Sequence, residues 1–307
     1  MRVVSLGSGS SGNAVLVQTG RAAVLVDAGF SVRTLESRLR QTGVMPSMLS
    51  AVLLTHEHSD HACGAAAFAR RYAIPLVADP RTLKAVLEQP RTAAEEQERA
   101  VERMELPVGQ AIKLHDLDVR GFPISHDAVA PCGYVLATGA WRVCVVTDTG
   151  EARMEMIEAM RGAHLLMVEA NHDVERLRTG PYPWPLKRRI LGATGHLSNE
   201  QTAQALISTL DDGPRWVWLA HLSRTNNTPD LARAHVRLHL RQTGLSHVKV
   251  EVAPPGVGPV WDSAGLFGEA GGVALRHQDT TRAAAVPSPD GALAPAMVST
   301  KETMTGL

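Results

Sequence analysis

The stretch "THEHSDH" places four candidate metal-binding side chains, His56, His58, Asp60 and His61, within six residues. It follows a strand-like run, Ala51–Thr55, and precedes a helix-like one, Cys63–Tyr72. In an extended turn, residues two apart lie on the same side. His56 and His58 can therefore chelate one cation, while Asp60 and His61 are directed toward another. Imidazole combined with carboxylate suits zinc and similar borderline metals. A solvated polar loop would account for one or two such residues; four at a strand end point to metal chemistry.

Other polar residues stand in comparable places. His126, Asp148 and His221 each follow a strand-like run (Asp118–Ile124, Val143–Thr147 and Trp216–Ala220), so three strand ends can converge on one rim. Taken singly, His126 and His221 read equally well as polar loop residues. Asp148 says more, because a carboxylate at the end of a buried strand needs a cationic partner. Asp27 closes the run Ala23–Asp27 in the same way. It reads either as a carboxylate that orients a ligand histidine or as the cap of the following turn.

Together with "SLGSGSSGNAVLV", "VLVDAGFS", "ISHDAVAPCGY", "VVTDTG", "GHLSN" and "AHLSRTNN", the H-x-H-x-D-H pattern resembles the metallo-β-lactamase fold superfamily. Within it the likeness is to the YycJ/WalJ-type exonuclease branch, over residues 1 to about 262. The resemblance implies an α/β fold, a four-layer αββα sandwich of two mixed β-sheets flanked by helices. It implies a metal-dependent hydrolase that cleaves phosphodiester bonds of single-stranded DNA from 5′ to 3′, with two divalent ions, Zn²⁺ or Mn²⁺. Residue by residue, it implies that His56, His58 and His126 hold the first ion. Asp60, His61 and His221 then hold the second, and Asp148 bridges both.

Glu169 ends "HLLMVEA" and His196 sits in "GHLSN". In nuclease branches of the fold an acid follows the bridging aspartate and pairs with a later histidine, ahead of the last metal histidine. The order Asp148, Glu169, His196, His221 is similar. A carboxylate that orients an imidazole raises its pKa and lets it protonate a leaving alkoxide. Asp60, Glu169 and His196 are thus the catalytic candidates. The plainer role for His196 is an N-cap contact before "SNEQTAQALI", a role that Ser198 fits better, with Gln201 at the reach-back position.

Between Glu169 and His196 lies "NHDVERLRTGPYPWPLKRRILGAT", with five Arg or Lys, Tyr182 and Trp184, and no room for an inserted domain. Basic residues among aromatics suit a strand of nucleic acid; an ordinary solvated basic helix is the alternative. Candidate substrate contacts are Tyr182, Trp184, Lys187, Arg188 and Arg189, with Ser223 and Asn226 of "AHLSRTNN". No protein nucleophile stands out: Ser8, Ser10 and Ser11 lack a G-x-S-x-G elbow. Cys63 and Cys132 could face the site or be buried thiols.

The elements that must position these groups alternate along the chain. Strand-like runs also occur at Val3–Leu6, Ala14–Gln18, Pro75–Ala78, Gly133–Ala137, Leu165–Glu169 and Val248–Val252. Helix-like runs lie at Val32–Thr42, with apolar residues at 32, 35 and 39, and at Thr82–Leu87, Arg153–Met160, Asn199–Thr209 and Pro229–Thr243. Early hairpins followed by strand–helix alternation suit two mixed sheets covered by helices. Gly7, Gly9 and Gly12 spell G-x-G-x-x-G, and Asp27 stands where a dinucleotide fold has its ribose acid. That motif requires a following helix, whereas the valine-rich "AVLVQTGRAAVLVDAG" reads as a hairpin. The glycines then make a turn between strands.

Lys+Arg and Asp+Glu balance at 31 each, so no global charge announces a nucleic-acid or membrane partner. Three unpatterned cysteines, no leader and no apolar run of about 18 residues suit a cytoplasmic protein. Residues 1–263 are expected to form the catalytic domain. Residues 264–307, rich in Ala, Gly, Pro, Ser and Thr, are expected to be a disordered tail. Two other functions compete with the nuclease: a small-molecule hydrolase of the same fold, splitting a thioester, lactone or cyclic phosphodiester, and a metal-bound partner protein without turnover.

Overall fold

The protein is described by a computed structural model, which covers residues 1–88, 100–211, 213 and 215–266. The expected tail lies outside the described residues from 267 onward. Its first residues belong to a short 3₁₀ turn, Ser263–Leu266.

Two seven-stranded mixed sheets form the centre. In the first, β1 (Arg2–Gly7), β2 (Ala14–Gln18) and β3 (Ala23–Val26) run antiparallel. Then β4 (Ala51–Leu53), β5 (Leu76–Ala78) and β6 (Arg103–Glu105) continue in parallel, and β14 (Val260–Asp262) adds to the free side of β1. The second sheet begins as a meander of β7 (Ala111–Leu114), β8 (Leu117–Pro123), β9 (Cys132–Thr138) and β10 (Trp141–Val146). It ends with parallel β11 (Leu165–Glu169), β12 (Trp216–Ala220) and β13 (Lys249–Val252).

The two-residue period of each strand sorts its side chains between layers. Val15, Val17, Val143 and Val145 enter one core with Tyr134, Trp218 and Trp261, between the sheets. Leu16 and Leu25 face the other way, against Leu35 and Leu39 of α1 (Val32–Gln41) and Phe68 of α3 (Ala65–Tyr72). On the far side, Val146 and Val168 pack on Met156 of α5 (Met154–Met160), Leu206 of α8 (Asn199–Ile207) and Leu240 of α9 (Pro229–Gln242). Strands buried on both faces explain the near-continuous Val/Leu runs. The result is an α/β fold of four layers, helix–sheet–sheet–helix. Further helices are α2 (Ser59–Ala62), α4 (Pro80–Leu87), α6 (Val174–Thr179) and α7 (Trp184–Ile190). Among the described residues no helix is long and apolar enough to cross a membrane.

Three strands had no counterpart in the sequence reading: β6, β7 and β14. Each is the outermost strand of a sheet. An edge strand exposes one side to solvent, so β6, with the exposed residues Arg103 and Glu105, carries no apolar signature. The glycine loop does lead directly into β2 and not into a helix.

Candidate metal centre

The carboxyl ends of the parallel strands meet at one rim, the usual place for a site in an α/β sheet. Asp27 follows β3, Thr55 and His56 follow β4, Asp148 follows β10, Glu169 ends β11 and His221 follows β12. Asp27, Asp148 and His221 have φ of 64°, 55° and 53°, left-handed values that side chains rarely adopt. Such residues cost about 1–3 kcal/mol each and persist where surrounding contacts hold them, often at functional sites.

His56, His58 and His126 converge on one side of the rim. His126 Nε2 lies 3.2 Å from His58 Nδ1, and the ring centroids of His58 and His126 lie 4.6 and 5.1 Å from that of His56. Thr55 Oγ1 sits 3.0 Å from His56 Nδ1, leaving Nε2 as the inward nitrogen. That Nε2 is buried and has no hydrogen-bond partner. On the other side, Asp60 Oδ2 lies 3.5 Å from His61 Nε2 and 3.3 Å from His221 Nε2. Asp148 stands between the groups. Its Oδ2 is 2.7 Å from His61 Nε2 yet forms no hydrogen bond, and its Oδ1 is 2.9 Å from His221 Nδ1. Two buried lone-pair atoms without a hydrogen-bond partner, His56 Nε2 and Asp148 Oδ2, set among these imidazoles and carboxylates, suit a cation site.

A second set of contacts holds these groups. Asp27 Oδ2 binds His61 Nδ1 at 2.8 Å, and Asp27 Oδ1 accepts from Thr55 N and Oγ1 at 2.9 and 3.0 Å. Carboxylate support of this kind fixes a ligand histidine's tautomer and ring plane. Asn13 Oδ1 accepts from Gly9 N at 2.8 Å, while its Nδ2 lies 3.0 Å from His61 Nε2 and 3.3 Å from Asp60 O. Ser8 Oγ accepts from His221 N at 2.8 Å. The glycine loop therefore braces the rim from below. The sequence did not point to Asn13 or Thr55 as bracing residues, and it raised Ser8 only as a nucleophile. Three strands, β2 to β4, separate Asn13 from His61 in the chain, and only Thr55, adjoining His56, carried a local signal.

Glu169 is fully buried and has four partners. Oε2 accepts from Thr149 N at 2.9 Å and Leu197 N at 3.2 Å; Oε1 lies 2.8 Å from His196 Nδ1 and 2.9 Å from His221 Nδ1. Burial alone would raise the Glu169 pKa, but the facing His196 outweighs it and holds the carboxyl at about 2. Burial likewise opposes charge on His61 and His221, yet Asp148 and its neighbouring carboxylates raise both well above the ordinary imidazole value. His56 and His126 go the other way, lowered first by burial. A field that favours cationic imidazole also favours a metal ion, for which the proton must leave.

The cavity over the rim is lined by His58, Asp60, His126, Asp148, His196 and His221. Tyr182, Arg189 and Ser223 also line it. Arg189 is held by Asp127, with Nε and Nη2 at 2.7 and 2.6 Å from Oδ2. Trp184 and Arg188 are exposed and lie outside this lining. Lys187 is buried, its ammonium donating to the carbonyls of Arg178 and Gly180 at 2.8 and 2.7 Å, so α7 spends this charge inside the fold. Asn226 is also buried, its backbone N–H donating to Ser223 Oγ at 3.1 Å. Ser198 caps α8 and Gln201 reaches back, a complete capping box that leaves His196 free of that role. Cys132 is buried and pushed up to about 12 by burial; Cys63 is exposed, outside the cavity lining.

A four-layer sandwich with a His/Asp rim at its strand ends defines a metal-dependent hydrolase of the metallo-β-lactamase fold. The sequence model of the beta-lactamase superfamily domain matches residues 22–222, and the chain belongs to that family. It is 37% identical over 240 residues to exodeoxyribonuclease YycJ of Bacillus anthracis, covering 78% of this chain and 89% of that protein. It is 39% identical over 240 residues to exodeoxyribonuclease WalJ of Streptococcus pneumoniae serotype 2, covering 78% and 88% respectively. The metallo-beta-lactamase fold protein YhfI of Bacillus subtilis superposes with a TM-score of 0.63 at 18% identity, over 85% of this chain and 98% of that one. That last likeness concerns the fold.

Proposed function

We propose that this chain is a dinuclear exonuclease that shortens single-stranded DNA from its 5′ end. The reading rests above all on Glu169, which grips a candidate proton donor, His196, and a candidate ligand, His221, through a single oxygen. The similarity to two exodeoxyribonucleases over more than three quarters of the chain supports the substrate class.

The donor set fits a pair of divalent ions. His56, His58 and His126 would hold one and Asp60, His61 and His221 the other, with Asp148 between them; the unpartnered His56 Nε2 and Asp148 Oδ2 are the atoms such ions would satisfy. Nitrogen and oxygen ligands of this kind accept Zn²⁺ or Mn²⁺. When bound, such ions supply Lewis acidity, lowering the pKa of water and offsetting phosphate charge.

The chain's own residues do the rest. Asp27 keeps His61 in place. Glu169 fixes His196 through Nδ1, which leaves Nε2 of a cavity-lining ring to give a proton to the leaving oxygen. Tyr182 offers a stacking face, and Arg189 offers a guanidinium that can exchange Asp127 for a backbone phosphate.

The deciding assay supplies Mn²⁺ or Zn²⁺ and compares 5′-phosphorylated single strands, labelled at either end, with duplex DNA and a thioester. Progressive loss of the 5′ label from single strands is expected. Thioester turnover without strand shortening would instead establish a small-molecule hydrolase.

A further inference from the structure

Away from the rim, on the outer helix layer, two histidines one turn apart on α9 share an oxygen of α8. His235 Nε2 and His239 Nε2 lie 2.9 and 3.1 Å from Glu200 Oε2. The two rings stack, with centroids 4.5 Å apart and planes inclined by 24°. None of the three lines the catalytic cavity.

The geometry of this cluster brings two imidazole nitrogens and a carboxylate oxygen to one point. His239 Nδ1 donates to the carbonyl of His235 at 3.0 Å, so that nitrogen carries the ring's proton in the neutral form. The Nε2 of a neutral His239 is then a bare lone pair facing an anionic oxygen. His235 Nε2 faces the same oxygen. A metal ion among the three atoms would accept both lone pairs and the carboxylate together. The Nδ1–H···O=C bond is also the usual way a ligand histidine is oriented.

We propose that Glu200, His235 and His239 form a peripheral site for a divalent transition-metal ion of the zinc type. Two histidines at i and i+4 on one helix, with a carboxylate from the next, give three protein ligands and leave a position for water. The side chains are 27%, 26% and 41% exposed, in the order His235, His239, Glu200, so an ion can reach them from solvent. The site would tie the first turn of α8 to α9. Next to it, Asn199 and Asn227 already join the starts of these helices through paired side-chain hydrogen bonds at 2.8 and 3.2 Å. Since α8 begins just after His196, the ion would steady the helix that follows the catalytic loop.

The test uses the full chain and Zn²⁺ alone. After equilibrium dialysis at low-micromolar free Zn²⁺, His235→Gln, His239→Gln and Glu200→Gln should each hold one ion fewer than the wild type. Hydrolysis by the metal-loaded enzyme should be unchanged. Equal zinc content in wild type and variants would overturn the proposal, however many ions the rim holds. A second measurement needs no variant. Zn²⁺ should slow diethyl pyrocarbonate modification of His235 and His239 in the native protein while leaving the exposed His247 reactive. Equal modification with and without Zn²⁺ would likewise reject the site.

Discussion

Glu169 and His196 are joined at 2.8 Å between Oε1 and Nδ1, deep under the floor of the cavity on one side and open to it on the other. The carboxylate is fully buried, whereas the imidazole keeps 21% of its side chain exposed. Burial would lower the His196 pKa, but Glu169 and Asp148 outweigh it and raise it. The pair shifts the ring toward its protonated form and aims it, the direction a general acid requires.

Replacing this acid tests its role. His196→Ala should lower the maximal rate on DNA by about 10²–10⁴-fold, with metal content unchanged. The loss should shrink for a p-nitrophenyl phosphodiester, whose leaving group departs without a proton. A variant that loses metal would make His196 a ligand, and wild-type rates on DNA would remove it from the chemistry.

The ion count follows from the two halves of the rim. Protein purified without chelators should carry two divalent ions in its rim, and Asp60→Ala should lose the one shared by Asp60, His61 and His221. Elemental analysis of both proteins, each in the His235→Gln background to exclude the peripheral site, decides the matter. One rim ion in each would sink the dinuclear reading.

Much of this rim was legible because its chemistry is local. His56, His58, Asp60 and His61 are close neighbours in the chain, Asp148 and His221 each follow an apolar strand-like run, and His126 follows the more mixed run Asp118–Ile124. The bracing contacts were not legible. Asn13–His61 and Ser8–His221 join residues far apart in sequence, and no spacing rule encodes a contact made only when the strands pair. Lys187 shows the converse error: a basic run reads as surface, yet the turn of α7 carries this one residue inward to the carbonyls of Arg178 and Gly180. Early hairpins followed by strand–helix alternation pointed to the layers, but exposed edges such as β6 gave too little apolar contrast to be seen.

The close approach of two backbone segments makes a further test. A Cβ on Gly29 would lie 1.7 Å from the carbonyl oxygen of Asp60, a backbone atom that also accepts from Asn13 N at 2.8 Å. Overpacking of this kind costs about 1–3 kcal/mol or more, and here it pushes on the loop bearing Asp60 and His61. Gly29→Ala should lower the urea midpoint and the metal content together. Gly256→Ala, where a Cβ meets nothing within 4 Å, should change neither.

The last prediction concerns acid. His172 is fully buried, both ring nitrogens lack hydrogen-bond partners, and burial pushes its pKa down to about 4. In the unfolded chain an imidazole takes its proton near about pH 6.5. Between these values the unfolded state binds the extra proton, so stability must fall as pH falls. The contribution is intact above about pH 6.5. It declines through the interval and levels off below about pH 4, for a total of about 3 kcal/mol from this residue. The rim histidines titrate as well, so the test is a difference. Urea unfolding across this range should show a smaller acid loss in His172→Leu than in the wild type. Equal losses would mean that His172 finds a partner for its proton inside the folded protein.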